Sequence, residues 1–186
     1  MTDTRSPVEE VQRQLDRAIA AIDEDRDRTA EAKERLKREV YDEARSQVVQ
    51  QVEEEREKVE EDLRVARKMA FAPPVLQGKN IDEAFVAKWY YDECEKIKDI
   101  REPARILERL QVAVLLGNPV VAKSCLVAGY RLQNEQIVTR YFESFPDEEP
   151  YWQEFVSAAE AYNEWERARN TFSAGSRIRP LEPYLA

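Results

Sequence analysis

Between Pro7 and Pro73 the chain contains neither proline nor glycine. Nothing in that run removes a backbone donor or supplies the conformational freedom that usually ends a helix. The same segment cannot fill a globular core. Residues 1–72 hold 20 acidic and 15 basic side chains but only two aromatics, Tyr41 and Phe71. The prediction is one unbroken, charged helix. Ser6 is placed to cap it, Pro7 suits the first helical position, and Glu9 completes a capping box. Pro73 and Pro74 stop it. At ~1.5 Å per residue, such a helix would be about 100 Å long.

The apolar residues of this segment are few and regularly spaced. Val8, Val11, Leu15, Ala18 and Ile22 alternate steps of three and four, which is a heptad seam. Val8, Ile19, Ala30, Tyr41, Val52 and Leu63 recur every eleven residues, and Val48, Val59 and Ala70 form a second such series. Eleven-residue spacing favours straight or slightly right-handed packing of helices. The stripe is too narrow for a globular face, so a partner helix is expected to cover it. The predicted oligomer seam is Val8, Val11, Leu15, Ile19, Ile22, Val48, Val52, Val59 and Leu63, in a homo-oligomer. The alternative is a solitary charged helix. Six correctly oriented acid–base pairs, such as Glu9 with Arg13 and Glu60 with Arg64, would give it only about 2–3 kcal/mol.

Residues 73–186 hold 15 of the 17 aromatics, all four glycines and eight of the nine prolines. A linker at 73–79 is followed by a compact domain of five helices over 80–172. Asn80 with Glu83 forms a capping box for the first helix, which is expected to reach about Ile100. Pro103 opens the second and Gly117 closes it. Asn118 and Asn134 cap the third and fourth, and Pro146 ends the fourth. Asp147 is expected to cap the fifth, with Pro150 in its first turn. Short joints make successive helices antiparallel. The third helix is apolar almost all round and should be central. Residues 110–130 do not read as a membrane span, because Gly117-Asn118-Pro119 and Lys123 interrupt them. The fold class is therefore all-α: a long coiled-coil-type helix, a five-helix domain and an extended C-terminal tail over 173–186. That tail mixes Arg177 and Arg179 with Ile178, Leu181, Tyr184 and Leu185, which suits docking to an acidic or apolar groove on a neighbouring subunit.

Composition limits the chemistry. A net charge of −9 disfavours nucleic acid or an anionic membrane as the main partner. With no histidine, neither a His-activated nucleophile nor a His-containing metal site can form. Two cysteines, Cys94 and Cys125, make no disulfide framework, and no charged leader precedes an apolar run. A cytoplasmic, reducing setting is expected. Asp92, Glu93 and Glu95, and the run from Asp147 to Glu149, could hold a cation or move a proton, but neither follows a calcium-loop pattern. Trp89-Tyr90-Tyr91 lacks the basic groove that base stacking needs. The sequence predicts no catalytic residue, no metal and no cofactor.

The charged arm over 8–70, the helical head over 80–172 and the arginine-bearing end over 167–179 together resemble the layout of tailed-bacteriophage scaffolding and minor structural proteins. That resemblance implies a non-enzymatic assembly protein acting by self-association and by docking to other subunits, in the host cytoplasm or the virion. The head is larger and more aromatic than a simple scaffold clamp. A cytosolic adaptor or chaperone-like module, binding a client through Trp89, Tyr130 or Trp152, is the alternative. A carboxylate metal enzyme is the remaining one.

Overall fold

The computed structural model describes residues 7–76 and 82–171, and every regular element among them is helical. Seven α-helices are described: α1 (Pro7–Glu24), α2 (Ala30–Ala70), α3 (Glu83–Ile97), α4 (Pro103–Leu115), α5 (Pro119–Arg131), α6 (Glu135–Ser144) and α7 (Glu149–Thr171). A single 3-10 turn, Pro146–Glu148, precedes α7. The chain forms two compact units, one of residues 1–62 and 159–186, the other of residues 63–158.

In the first unit the expected single helix is two. A turn over residues 25–29 separates α1 from α2, although it contains neither glycine nor proline. Side chains supply what those residues would have supplied. Asp25 accepts a hydrogen bond from the Asp27 backbone N–H at 3.0 Å and pairs with Arg28 at 2.6 Å. Thr29 then caps α2, its hydroxyl accepting from the Ala32 N–H at 3.3 Å. Short polar side chains that bond the nearby backbone offer it an alternative to the helical ladder.

The turn lets the stripe close on its own chain. Val11, Leu15 and Ile19 of α1 share one buried cluster with Ala44, Val48 and Val52 of α2. Val8, Val40, Tyr41 and Trp165 of α7 pack against it. The eleven-residue series therefore does not run along one face of a rod, because Val8 and Ile19 pack in the same cluster as Tyr41 and Val52. Of the seam residues, Val11, Leu15, Ile19, Val48 and Val52 are buried within a single chain, so no second chain is needed to cover them. Ile22, Val59 and Leu63 are half-buried.

In the second unit, α5 is the central helix, with Val120, Ala122, Cys125 and Leu126 fully buried. Ile106, Leu110 and Ala113 of α4 and Ile137, Tyr141 and Phe142 of α6 complete the main core with it. Asn118 and Asn134 cap α5 and α6 as expected, accepting from Val121 N and Ile137 N, each at 3.1 Å. Gly117 adopts φ +61° between α4 and α5, a conformation that glycine accepts without strain. Two caps differ from expectation. Asp82 caps α3, accepting from Ala84 N at 2.9 Å, whereas Asn80 lies outside the described residues, as does Ser6. Asp147 sits inside the 3-10 turn rather than capping α7.

The boundary between the units falls within α2 and α7 and not at the prolines. Aromatic packing explains why. Phe71, Tyr130, Trp152 and Phe155 form a cluster in which every pair of ring centroids is 5.1–5.9 Å apart. Leu63, Ala66 and Ala70 join it from α2. The Tyr90 hydroxyl donates to the Phe71 carbonyl at 3.0 Å, tying α3 to the end of α2. The tail residues Arg177, Ile178, Arg179, Leu181, Tyr184 and Leu185 lie outside the described residues.

Candidate interaction surface

Most polar groups inside the second unit are matched to one another, the exception being the buried Arg109 Nε, which has no hydrogen-bond partner among the described residues. Lys123, on the otherwise apolar α5, is almost fully buried and pairs with Glu148 of the 3-10 turn. The Tyr141 hydroxyl donates to the same carboxylate at 2.8 Å, and the Lys123 ammonium lies 5.6 Å from the Tyr141 ring centre. Burial, reinforced by the Glu148 charge, holds the Tyr141 phenol well above its ordinary range. Glu93 of α3 is buried between Lys96, at 2.6 Å, and Arg109 of α4. Burial alone would raise its carboxyl, but the hydrogen bonds from Lys96 and Arg109 outweigh that and hold it below the ordinary value. Arg131 donates to the carbonyls of Ile97, Lys98 and Ile100, satisfying the end of α3. These groups lock helices together.

Both cysteines are structural in character. Cys125 is fully buried, and burial pushes its thiol up to about 12. Cys94 is half-buried, and its thiol is also raised, mainly by burial. A raised thiol holds little thiolate at neutral pH and is a poor nucleophile. Among the described residues, no group of three or more acidic or cysteine side chains converges as a metal site would require. No described helix is long and apolar enough to cross a membrane.

What the second unit leaves open is apolar. On α3, Phe85 is 64 % exposed, and its ring lies 6.5 Å from that of half-buried Trp89. With Lys88, Asp92 and Lys96 these two residues line a shallow cleft along one face of the helix. On α4, Val112, Leu115 and Leu116 are 50 %, 84 % and 73 % exposed. The Glu93–Arg109 pair holds α3 beside α4. Isolated apolar residues on a surface are ordinary, whereas large ones exposed close together in one helix, as at Val112, Leu115 and Leu116 on α4 and at Phe85 beside Trp89 on α3, mark contact surfaces.

Trp89-Tyr90-Tyr91 thus divides three ways: Trp89 half-buried at the cleft, Tyr90 buried, Tyr91 exposed. Tyr130 and Trp152, named for a client groove in the adaptor alternative, belong to the aromatic cluster, with Tyr130 still 43 % exposed. Phe85 is the surface residue that composition did not single out. Its place on the Trp89 stripe, four residues earlier, was the available signal. The chain matches no protein-family model, no curated protein and no solved structure.

Proposed function

We propose that the protein is a non-enzymatic assembly component that acts through protein–protein contacts made by its helical head, by self-association and by docking within a larger structure. The observation that carries this reading is the exposure of large apolar residues on the head, Phe85 on α3 and Val112, Leu115 and Leu116 on α4, while buried Lys123 and Glu93 are paired within the unit. The coiled-coil form of the proposal, with the N-terminal stripe as the oligomer seam, loses most of its support. The central residues of that stripe are covered by the chain's own helices. The charged N-terminal segment and aromatic-rich head read in the sequence resemble the layout of phage structural and scaffolding proteins, and such a role accords with the proposal. The docking role of the arginine-bearing tail stays part of it.

The test is sedimentation of the full-length protein across a wide range of concentration. Reversible oligomers that form as concentration rises are the expected result. A monomer at every concentration contradicts the self-association part of the proposal.

A further inference from the structure

The cleft on α3 carries a charge pair that is complementary to itself when the helix is reversed. Along its face stand Phe85, Lys88, Trp89, Asp92 and Lys96, a stripe with helical spacing. Lys88 and Asp92 are exposed, and neither has an ion-pair partner among the described residues. The Lys96 ammonium is held within the chain by Glu93, at 2.6 Å, so what Lys96 can offer the cleft is mainly its aliphatic stem.

A two-fold axis makes residue i of one copy face residue j of the other and the reverse. Two α3 helices laid antiparallel about a point near Tyr90 would set each Lys88 against the other copy's Asp92. The same register brings Phe85 towards the other copy's Lys96 stem and the two Trp89 rings towards the axis. Lys88 and Asp92 then each meet an opposite charge, and Phe85 and Trp89 meet apolar surface.

Charge distribution favours this unit over the other for contact between identical chains. Residues 63–158 hold 13 basic and 14 acidic side chains, whereas the remainder holds 16 and 24. Two copies meeting through the head bring together nearly neutral bodies, and meeting elsewhere would oppose two strongly acidic ones. We infer that the α3 face is a homodimer interface, in which a second copy packs antiparallel across Phe85 and Trp89 with reciprocal Lys88–Asp92 pairs. This inference rests on the self-association reading and assigns it a site.

The test uses reciprocal charge swaps in the full-length protein, with sedimentation equilibrium as the readout. Lys88→Asp alone places two pairs of carboxylates face to face in each dimer, and Asp92→Lys alone places two pairs of ammonium groups. Each single variant should dimerise at least tenfold more weakly than the parent. Mixing the two single variants should restore association, because each charge then meets its opposite in a heterodimer, and the variant carrying both swaps should also recover it. Recovery on mixing shows that neither variant failed merely by misfolding. A parent dimer indifferent to both single swaps, or single variants that stay monomeric when mixed, would overturn this interface while leaving self-association intact. A parent that is monomeric throughout would overturn both.

Discussion

The Lys37 ammonium of α2 lies 2.8 Å from the Asp23 carboxylate of α1, across the turn that separates the two helices. Lys33 reaches the same residue, donating to the Asp23 carbonyl at 2.7 Å. Lys37 is itself buried, so its stem packs while its head pairs. These contacts fasten the end of α1 to the start of α2. Lys37→Ala should cost about 1 kcal/mol, since Asp23 is partly solvated and the lost packing adds to the lost pair. Chemical denaturation of the full-length variant measures it.

Gly129 of α5 lies against Ile137 of α6. A Cβ at Gly129 would stand 2.6 Å from the Ile137 Cγ2 and 2.9 Å from its Cβ. Neither helix can admit that atom without moving. Gly129→Ala should destabilise the protein by about 1–3 kcal/mol, although alanine is the better helix former. A raised melting temperature would show that the helices separate readily.

Among the described residues, Glu148 is the carboxylate that pairs with buried Lys123. Glu148→Ala leaves an ammonium in the core and takes away the acceptor of the Tyr141 hydroxyl. Loss of one partner from such a pair costs about 3–5 kcal/mol. Adding Lys123→Met should recover a large part of that loss, because the buried charge is then gone. Denaturation midpoints of the single and double variants decide it.

Stability should fall at both ends of the pH range, for different groups. Glu93 titrates below its ordinary 4.5 in the fold, so the folded state holds its proton less tightly than the unfolded chain does. That contribution is present above 4.5 and is lost as pH falls through the lower folded value. Cys125 shifts the other way, from 9.0 to about 12, and Tyr141 shifts upward with it. The folded state keeps those protons while the unfolded chain releases them, so stability is full below about 9 and declines as pH rises further. Melting temperatures from mildly acidic to strongly alkaline buffer should trace a plateau with a fall on each side.

Local chemistry was legible in the sequence and distant pairing was not. Asn118 and Asn134 announce α5 and α6 because a cap needs only its own side chain and an N–H three residues on. The turn at 25–29 is hidden in the sequence because it is built from charged residues and a threonine, with no glycine or proline to mark it. Asp25 and Thr29 carried the signal in a run that otherwise reads as helix surface. Once that turn is missed, the stripe of Val11, Leu15 and Ile19 must seek a second chain, when its actual partner is Val48 and Val52 some thirty residues later. Lys123 read only as an interruption of an apolar run, since Glu148 lies 25 residues away. The α3 face was half visible: Trp89 stood out by type, but Phe85, Lys88 and Asp92 gain meaning only when α3 is seen with that face uncovered.

Leu15 is 1 % exposed, at the heart of the cluster shared by α1 and α2. Sedimentation equilibrium of the full-length Leu15→Ala variant beside the parent, paired with denaturation of both, therefore bears on whether the N-terminal stripe is closed within one chain. The predicted result is an unchanged association state together with a loss of about 2–5 kcal/mol of stability. An assembly that falls apart into stably folded smaller species would place the stripe between chains and contradict the account.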